Sequence, residues 1–468
     1  MSVLAFCAPP KQSKTKRTLD PSVRFLRFLL AIVLTASSNG LWANPALPGG
    51  ATTHERADNR QSFSHASTNL RAEERMSFTL GNAIFRKRWV AAPASTASSD
   101  GLGPLYNARS CQRCHVKDGR GAPHGTLPVL GVSGSVIALR NAMSFGGDPV
   151  YGMQLQDFAV PGLAAEGKVS LIPESVERYG QTLTRWQIGI SDLSASPIHP
   201  DTRLSLRVAP HMIGLGLLEA IPAEAIRAAA DPDDRDRDGI SGRAADLSDG
   251  MLGRFGWKAH SPSVRDQSSG AFHTDMGLGT PARPTPSGDC TAAQKSCVDA
   301  PHGPDANGFE VSEKMMRWIT FYASHLAPPH RPDAREPHIL RGEAIFNDIG
   351  CAACHTPSWQ TGPSEFPALA NQRIYPYTDL LLHDLGEGLA EGAPDKVATR
   401  REWRTPPLWG LGRIRDVNEH LRLLHDGRAD GVAEAIGWHG GEGEQSAAAF
   451  FALDEAAMSD LVAFVESL

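Results

Sequence analysis

Apolar residues return at helical spacing in four stretches of the chain. Met76, Leu80, Ile84 and Phe85 do so after Arg71, and Ile339 to Phe346 repeats the pattern in a shorter stretch. Ser312 to Tyr322 reads as an amphipathic helix, which Pro328, Pro329 and Pro332 prevent from continuing. Asp454 to Leu468 closes the sequence with Leu461, Val462, Phe464 and Val465 at the same spacing. The intervening stretches are rich in Gly (45) and Pro (34), so the pattern predicts a mainly α protein with short helices and many loops.

The amino end departs from this pattern. Lys11, Lys14, Lys16, Arg17 and Arg24 make it positive, Phe25 to Ala36 is an apolar run interrupted by Arg27, and Leu41-Trp42-Ala43 can precede a cleavage site. Residues 1–43 therefore read as a Sec-type export signal and 44–70 as a flexible polar tail. The alternative for the former is an uncleaved anchor, for which the apolar run is short. The expected setting is the periplasm, with no stable membrane span after cleavage. A formal net charge of −6, with no basic block in the body of the chain, argues against a nucleic-acid partner.

The seven cysteines carry the chemistry. Cys7 falls in the signal. Cys290 and Cys297 are an even pair in a loop-like stretch, which an oxidising compartment would join as a local disulfide. The other four sit in two identical motifs, Cys111-Gln112-Arg113-Cys114-His115 and Cys351-Ala352-Ala353-Cys354-His355. Two thiols one helical turn apart can reach both vinyl groups of one haem, and the adjacent imidazole then meets the iron. Zinc would want its four ligands together, yet the pairs lie 240 residues apart in the sequence. A redox dithiol needs no histidine and has no reason to recur. The motifs thus predict two covalently bound haem c groups, held by Cys111, Cys114, Cys351 and Cys354, with His115 and His355 on the irons.

The surroundings of the motifs also repeat. Arg207 to Gly216 after the first motif echoes Arg404 to Gly412 after the second, and each copy runs into Glu-Ala-Ile, at Glu219–Ile221 and Glu434–Ile436. The expected fold is therefore two cytochrome c-like haem domains, 71–330 and 331–468, with a large loop-rich insertion in the first.

With these motifs the sequence resembles the bacterial di-haem oxidoreductases, often labelled thiol oxidoreductases, which are relatives of the di-haem cytochrome c peroxidases. The resemblance covers nearly the whole chain after the signal. It rests on Gly103-Pro104-Leu105-Tyr106-Asn107-Ala108-Arg109-Ser110, Gly152-Met153-Gln154-Leu155-Gln156, Gly214 to Pro222, Tyr375 to Asp384, Leu424-His425-Asp426-Gly427-Arg428 and the pair Cys290/Cys297. It implies an enzyme, a peroxidase-like di-haem oxidoreductase with the first haem as reaction centre and the second as electron relay. Its partners would be a small periplasmic electron donor or acceptor and an oxidant such as peroxide. The alternative is a dihaem electron-transfer cytochrome without turnover, and thiol oxidation rests on the family label alone.

The peroxidase relatives place a distal ligand, usually Met, fourteen residues after the His of a His-Asp-Gly segment. Here that position after His425 holds His439, so the resemblance implies a bis-histidine second iron, of lower potential than its methionine counterpart. Arg404, in the Arg-Thr-Pro segment, is expected beside the haem. The first iron has four candidate distal ligands, His124, Met153, His211 and Met212, and is open if none binds. Glu219, after the repeat that should wall that haem, is then the expected acid–base group. Asp234, Asp236 and Asp238 carry the spacing of a calcium loop, although Ala245 stands where the usual Glu would close it.

Overall fold

The computed structural model describes residues 44–55, 60–126, 134–303 and 308–468; the expected export signal, 1–43, lies outside them. Five longer helices form: α1 (Ala72–Arg86), α2 (Val264–Met276), α3 (Glu313–Ser324), α4 (Pro337–Asp348) and α5 (Glu455–Ser467). Their ends follow local chemistry. Ser263, Ser312 and Asp454 cap α2, α3 and α5 by accepting a backbone N–H of the first turn, and Pro337 opens α4.

The helices pair in the same way twice. α1 packs on α3 through Gly81, where a Cβ would strike the Trp318 carbonyl and the Tyr322 side chain. α4 packs on α5 through Gly342, where it would strike the Asp460 carbonyl and the Phe464 side chain. Four residues beyond each glycine stands a phenylalanine, with Phe85 5.3 Å from Tyr322 and Phe346 5.3 Å from Phe464. The echo read in the sequence is also a contact. Gly214 and Gly410 both adopt left-handed backbone, with φ of 70° and 71°. Each donates to the carbonyl just past the last helix of its half, Leu326 and Leu468, at 2.8 Å. A Cβ on Gly214 would meet the Trp409 ring and one on Gly410 would meet Ile213, so the residue before each glycine packs on the other glycine. The arrangement is that of a pseudo-twofold contact.

The expectation of a mainly α protein is overturned. Helix accounts for 30% and strand for 18%, which makes the fold mixed, and the description as two cytochrome c-like domains does not carry over. The strands lie largely in the stretch expected to be loop-rich. β1 (Ser135–Asn141) pairs antiparallel with β2 (Gln154–Leu155) and with β5 (Thr202–Val208). β3 (Lys168–Arg178) and β4 (Gln181–Ser191) make a long hairpin closed by Tyr179-Gly180. Apolar residues alternate along the hairpin from Val169 and Leu171 to Ile188 and Ile190, the period of a strand with one covered face. Residues 44–70 differ from the tail that was expected. His54 pairs with Pro329, Ala66 with Leu326, and Phe63 is fully buried against the second half's Gly410. Pro45–Leu468 pack as one compact unit.

Candidate functional site

Both motifs build the same local geometry. In each, the histidine N–H donates to the first cysteine's carbonyl at 3.0 Å, which closes one helical turn and puts two thiols and an imidazole side by side. Nδ1 of His115 lies 2.8 Å from the Pro210 carbonyl, and Nδ1 of His355 lies 3.0 Å from that of Tyr377. A carbonyl only accepts, so Nδ1 carries the proton and the lone pair is on Nε2, the arrangement of an iron-binding histidine held by its second shell. Burial pushes both imidazoles down to about 4, so each stays neutral at physiological pH. A phenylalanine ring stands 6.3 Å from each, Phe85 and Phe346.

The four thiols are free of disulfides. Burial pushes Cys111 and Cys351 up to about 12 and raises Cys114 and Cys354 as well. Thiols held protonated in this way are poor nucleophiles. Cys290 and Cys297 form the expected disulfide.

One cavity of about 680 Å³ is lined by both motifs, and by His439, Arg404, His211, Met153, Gln154 and Asp275. Nδ1 of His439 donates to the Ala435 carbonyl at 2.8 Å, and burial keeps this ring neutral too. His439 and His355 line the same cavity, and His439 lies within electrostatic reach of His355. Arg404 is buried, with Nε donating to the Gly256 carbonyl at 3.1 Å and Nη1 to its neighbour Thr405 at 3.0 Å. The two other His-Asp segments serve as supports. His383 donates to Asp379 and Glu442, each at 2.7 Å; burial opposes its charge, but these carboxylates raise its proton affinity well above the ordinary value. His425 stacks on Trp403 with ring centres 3.7 Å apart.

Glu219 is placed elsewhere than expected. It does not line the cavity. Its carboxylate accepts the backbone N–H of Val264 at 2.7 Å, so it tethers the first residue of α2. In the short helix Leu215–Glu219, Leu215 and Leu218 face the cavity and Glu219 does not. Asp234, Asp236 and Asp238 do converge, with their ligand oxygens within 4.8 Å of one another on an exposed loop.

Sequence reasoning missed Asp275 and Gln154. Asp275 lines the cavity near the end of α2 and accepts from Gln154 Nε2 at 2.8 Å. Burial pushes its carboxyl up to about 6. It lies within electrostatic reach of both Cys111 and Cys114. Gln154 belongs to the Gly152–Gln156 segment, but nothing in the sequence joins that segment to residue 275. The same holds for Arg140 and Arg207, which line the cavity from β1 and β5, with Glu391 pairing Arg207 at 2.7 Å and the fully buried Lys258 at 3.0 Å.

The donor set fits a haem at each motif. Each offers two neutral thiols one turn apart, an imidazole with its lone pair on Nε2, and a cavity beside them. Guanidinium groups line the same cavity where haem carboxylates could be met.

The comparisons agree at the level of family. A family model described as "Di-haem oxidoreductase, putative peroxidase" matches residues 43–145 and 184–468, and the chain belongs to that family. No curated protein matches. Among solved structures, the hydrazine synthase of Kuenenia stuttgartiensis, pressurised with xenon, is similar at 14% identity. That match covers 59% of this chain and 96% of the other, with a TM-score of 0.23, below the level of a shared fold. Among the described residues no helix is long and apolar enough to cross a membrane.

Proposed function

We propose that this member of the di-haem oxidoreductase family carries two covalently attached haem c groups and works in the periplasm as a peroxidase-like enzyme. The haem at the first motif would be the reaction centre and that at the second the electron relay.

The observation that carries this reading is a single cavity lined by both motifs, with a buried carboxyl, Asp275, beside the first. The second motif has a neutral imidazole, His439, within reach of His355. At the first motif, one of the four candidate ligands, His124, is off the cavity and three line it. His211 and Met212 follow Pro210, whose carbonyl is tied to the proximal ring; both line the cavity, and neither ring nitrogen of His211 has a hydrogen-bond partner among the described residues. His124 is off the cavity, 3.9 Å from Asp157. Met153, His211 and Met212 favour the rival reading, an electron-transfer cytochrome with both irons six-coordinate.

Haem, when bound, supplies a redox-active iron that takes a small oxidant where one position is open. The chain supplies the rest. Asp275 can give and take a proton beside the first motif, and Gln154 fixes its carboxylate. His439 and His355 would hold the second iron, and Arg140, Arg207 and Arg404 would meet haem carboxylates. Asp234, Asp236 and Asp238 would hold calcium, a structural ion on the loop leading to Ser241, whose hydroxyl donates to Glu442 at 2.9 Å.

The test is to mix the reduced holoprotein with hydrogen peroxide. The enzyme reading expects oxidation of both haems with turnover when a reductant is supplied. A reduced spectrum that peroxide leaves unchanged contradicts it and favours the carrier.

A further inference from the structure

The hairpin β3–β4 takes no part in the cavity wall, yet its tip is tied to the segment that presents His439. Arg178, the last residue of β3, donates from Nη1 to the Trp438 carbonyl at 3.2 Å and from Nη2 to the His439 carbonyl at 3.5 Å. Its Nη2 also pairs with Glu444 at 2.9 Å. Tyr179 donates its hydroxyl to the other oxygen of Glu444 at 2.5 Å and stacks on Phe451 with ring centres 5.1 Å apart. Across the turn, the Thr184 N–H donates to Glu434 at 2.9 Å, and buried Leu183 packs against Gly437. These contacts bracket His439 in the chain, from Glu434 to Phe451. Arg178 and Tyr179 fall between the two stretches shared with the family.

We propose that the hairpin is a clamp on the axial ligand. Arg178 and Tyr179 act as positioning residues that fix the backbone carrying His439, and so set how readily that imidazole leaves the second iron. The proposal rests on His439 being an iron ligand. The physical reason is the site of attachment. The imidazole is aimed by its own Nδ1 bond to Ala435 and by the path of residues 438–440, and Arg178 holds that path at two consecutive carbonyls. Guanidinium is suited to this because its fork meets several acceptors at once.

Carbon monoxide binding to the reduced holoprotein reads the clamp directly. At the second iron CO must wait for His439 to depart, so that phase is slow and independent of CO concentration. In Arg178→Ala the slow phase should quicken by about tenfold, the worth of one charge-assisted hydrogen bond. Arg178→Lys should fall between this variant and the parent, and Tyr179→Phe should show a smaller increase. Arg185→Ala, which breaks only the exposed hairpin pair with Glu174, should leave the phase unchanged. His439→Ala separates the two claims. If it leaves the slow phase intact, the ligand assignment is wrong. If it abolishes the slow phase while Arg178→Lys, Tyr179→Phe and any folded Arg178→Ala all match the parent, the clamp is overturned and the ligand assignment stands.

Discussion

The two Cys-x-x-Cys-His sites share a proximal side and differ elsewhere. Each has an imidazole fixed through Nδ1 to a carbonyl, a phenylalanine ring 6.3 Å away, and a helix pair joined at a glycine. Behind the first imidazole the repeat has become polar. Tyr322 donates to buried Asp118 at 2.6 Å, and Ser64 donates to the same carboxylate at 2.6 Å. In the second half Phe464 replaces that tyrosine, with Phe346 and Tyr377 around it. The cavity lining diverges further, with His439 within electrostatic reach of His355 and the buried carboxyl of Asp275 within reach of Cys111 and Cys114. Duplication kept what holds a haem and changed what the haem could meet, which is how two like sites can divide the work of reaction and relay.

The largest expected effect removes one side of the comparison. Replacing Cys351 and Cys354 together by Ser should lower the intact mass by one covalent haem and abolish turnover, while the first site keeps its haem. Retention of both haems would show that attachment does not depend on these sulfurs.

Next is the acid at the first site. Asp275→Asn should slow peroxide turnover by about 10² to 10⁴, the usual worth of a positioned proton donor. The pH dependence has a definite sign. Burial raises this carboxyl, so it keeps its proton up to about pH 6 and loses it above. The parent's rate should fall as pH rises through about 6, and the Asn variant should lose that limb.

His439→Met sharpens the relay side. Thioether favours ferrous iron, so the second haem's potential should rise in a redox titration while the first stays put. An unchanged pair of potentials would place His439 off the iron.

The smallest effect concerns Glu219. Glu219→Gln should cost about 1 kcal/mol, comparable to loss of a helix cap, in thermal or urea unfolding and should leave turnover intact. A large loss of activity with unchanged stability would restore it as a catalytic group.

Much of the site was legible because the proposed covalent attachment of haem would force its ligands into one local pentad. The spacing named Cys111, Cys114, His115 and their second-half counterparts, and resemblance added His439 and Arg404, which the structure places on the same cavity. What was missed depends on chain crossings that no local pattern records. Asp275 reaches the cavity only because α2 runs past the first motif, and Glu219 misses it because Leu215 and Leu218 of its short helix take the cavity face. The strands of the insertion alternate only in short runs, Val169 and Leu171 on one and Trp186, Ile188 and Ile190 on the other, and Pro173 and many polar residues disguised them as loop. The helix starts were plain because Ser312 and Asp454 cap them locally.

Electron paramagnetic resonance of the fully oxidised holoprotein tests the asymmetry most directly. The account predicts two haem signals of different kinds, a low-spin ferric centre from the bis-histidine pair and a high-spin ferric centre from the open first site. Two low-spin centres would contradict the division of labour, and a spectrum without haem iron would contradict the chemistry on which it stands.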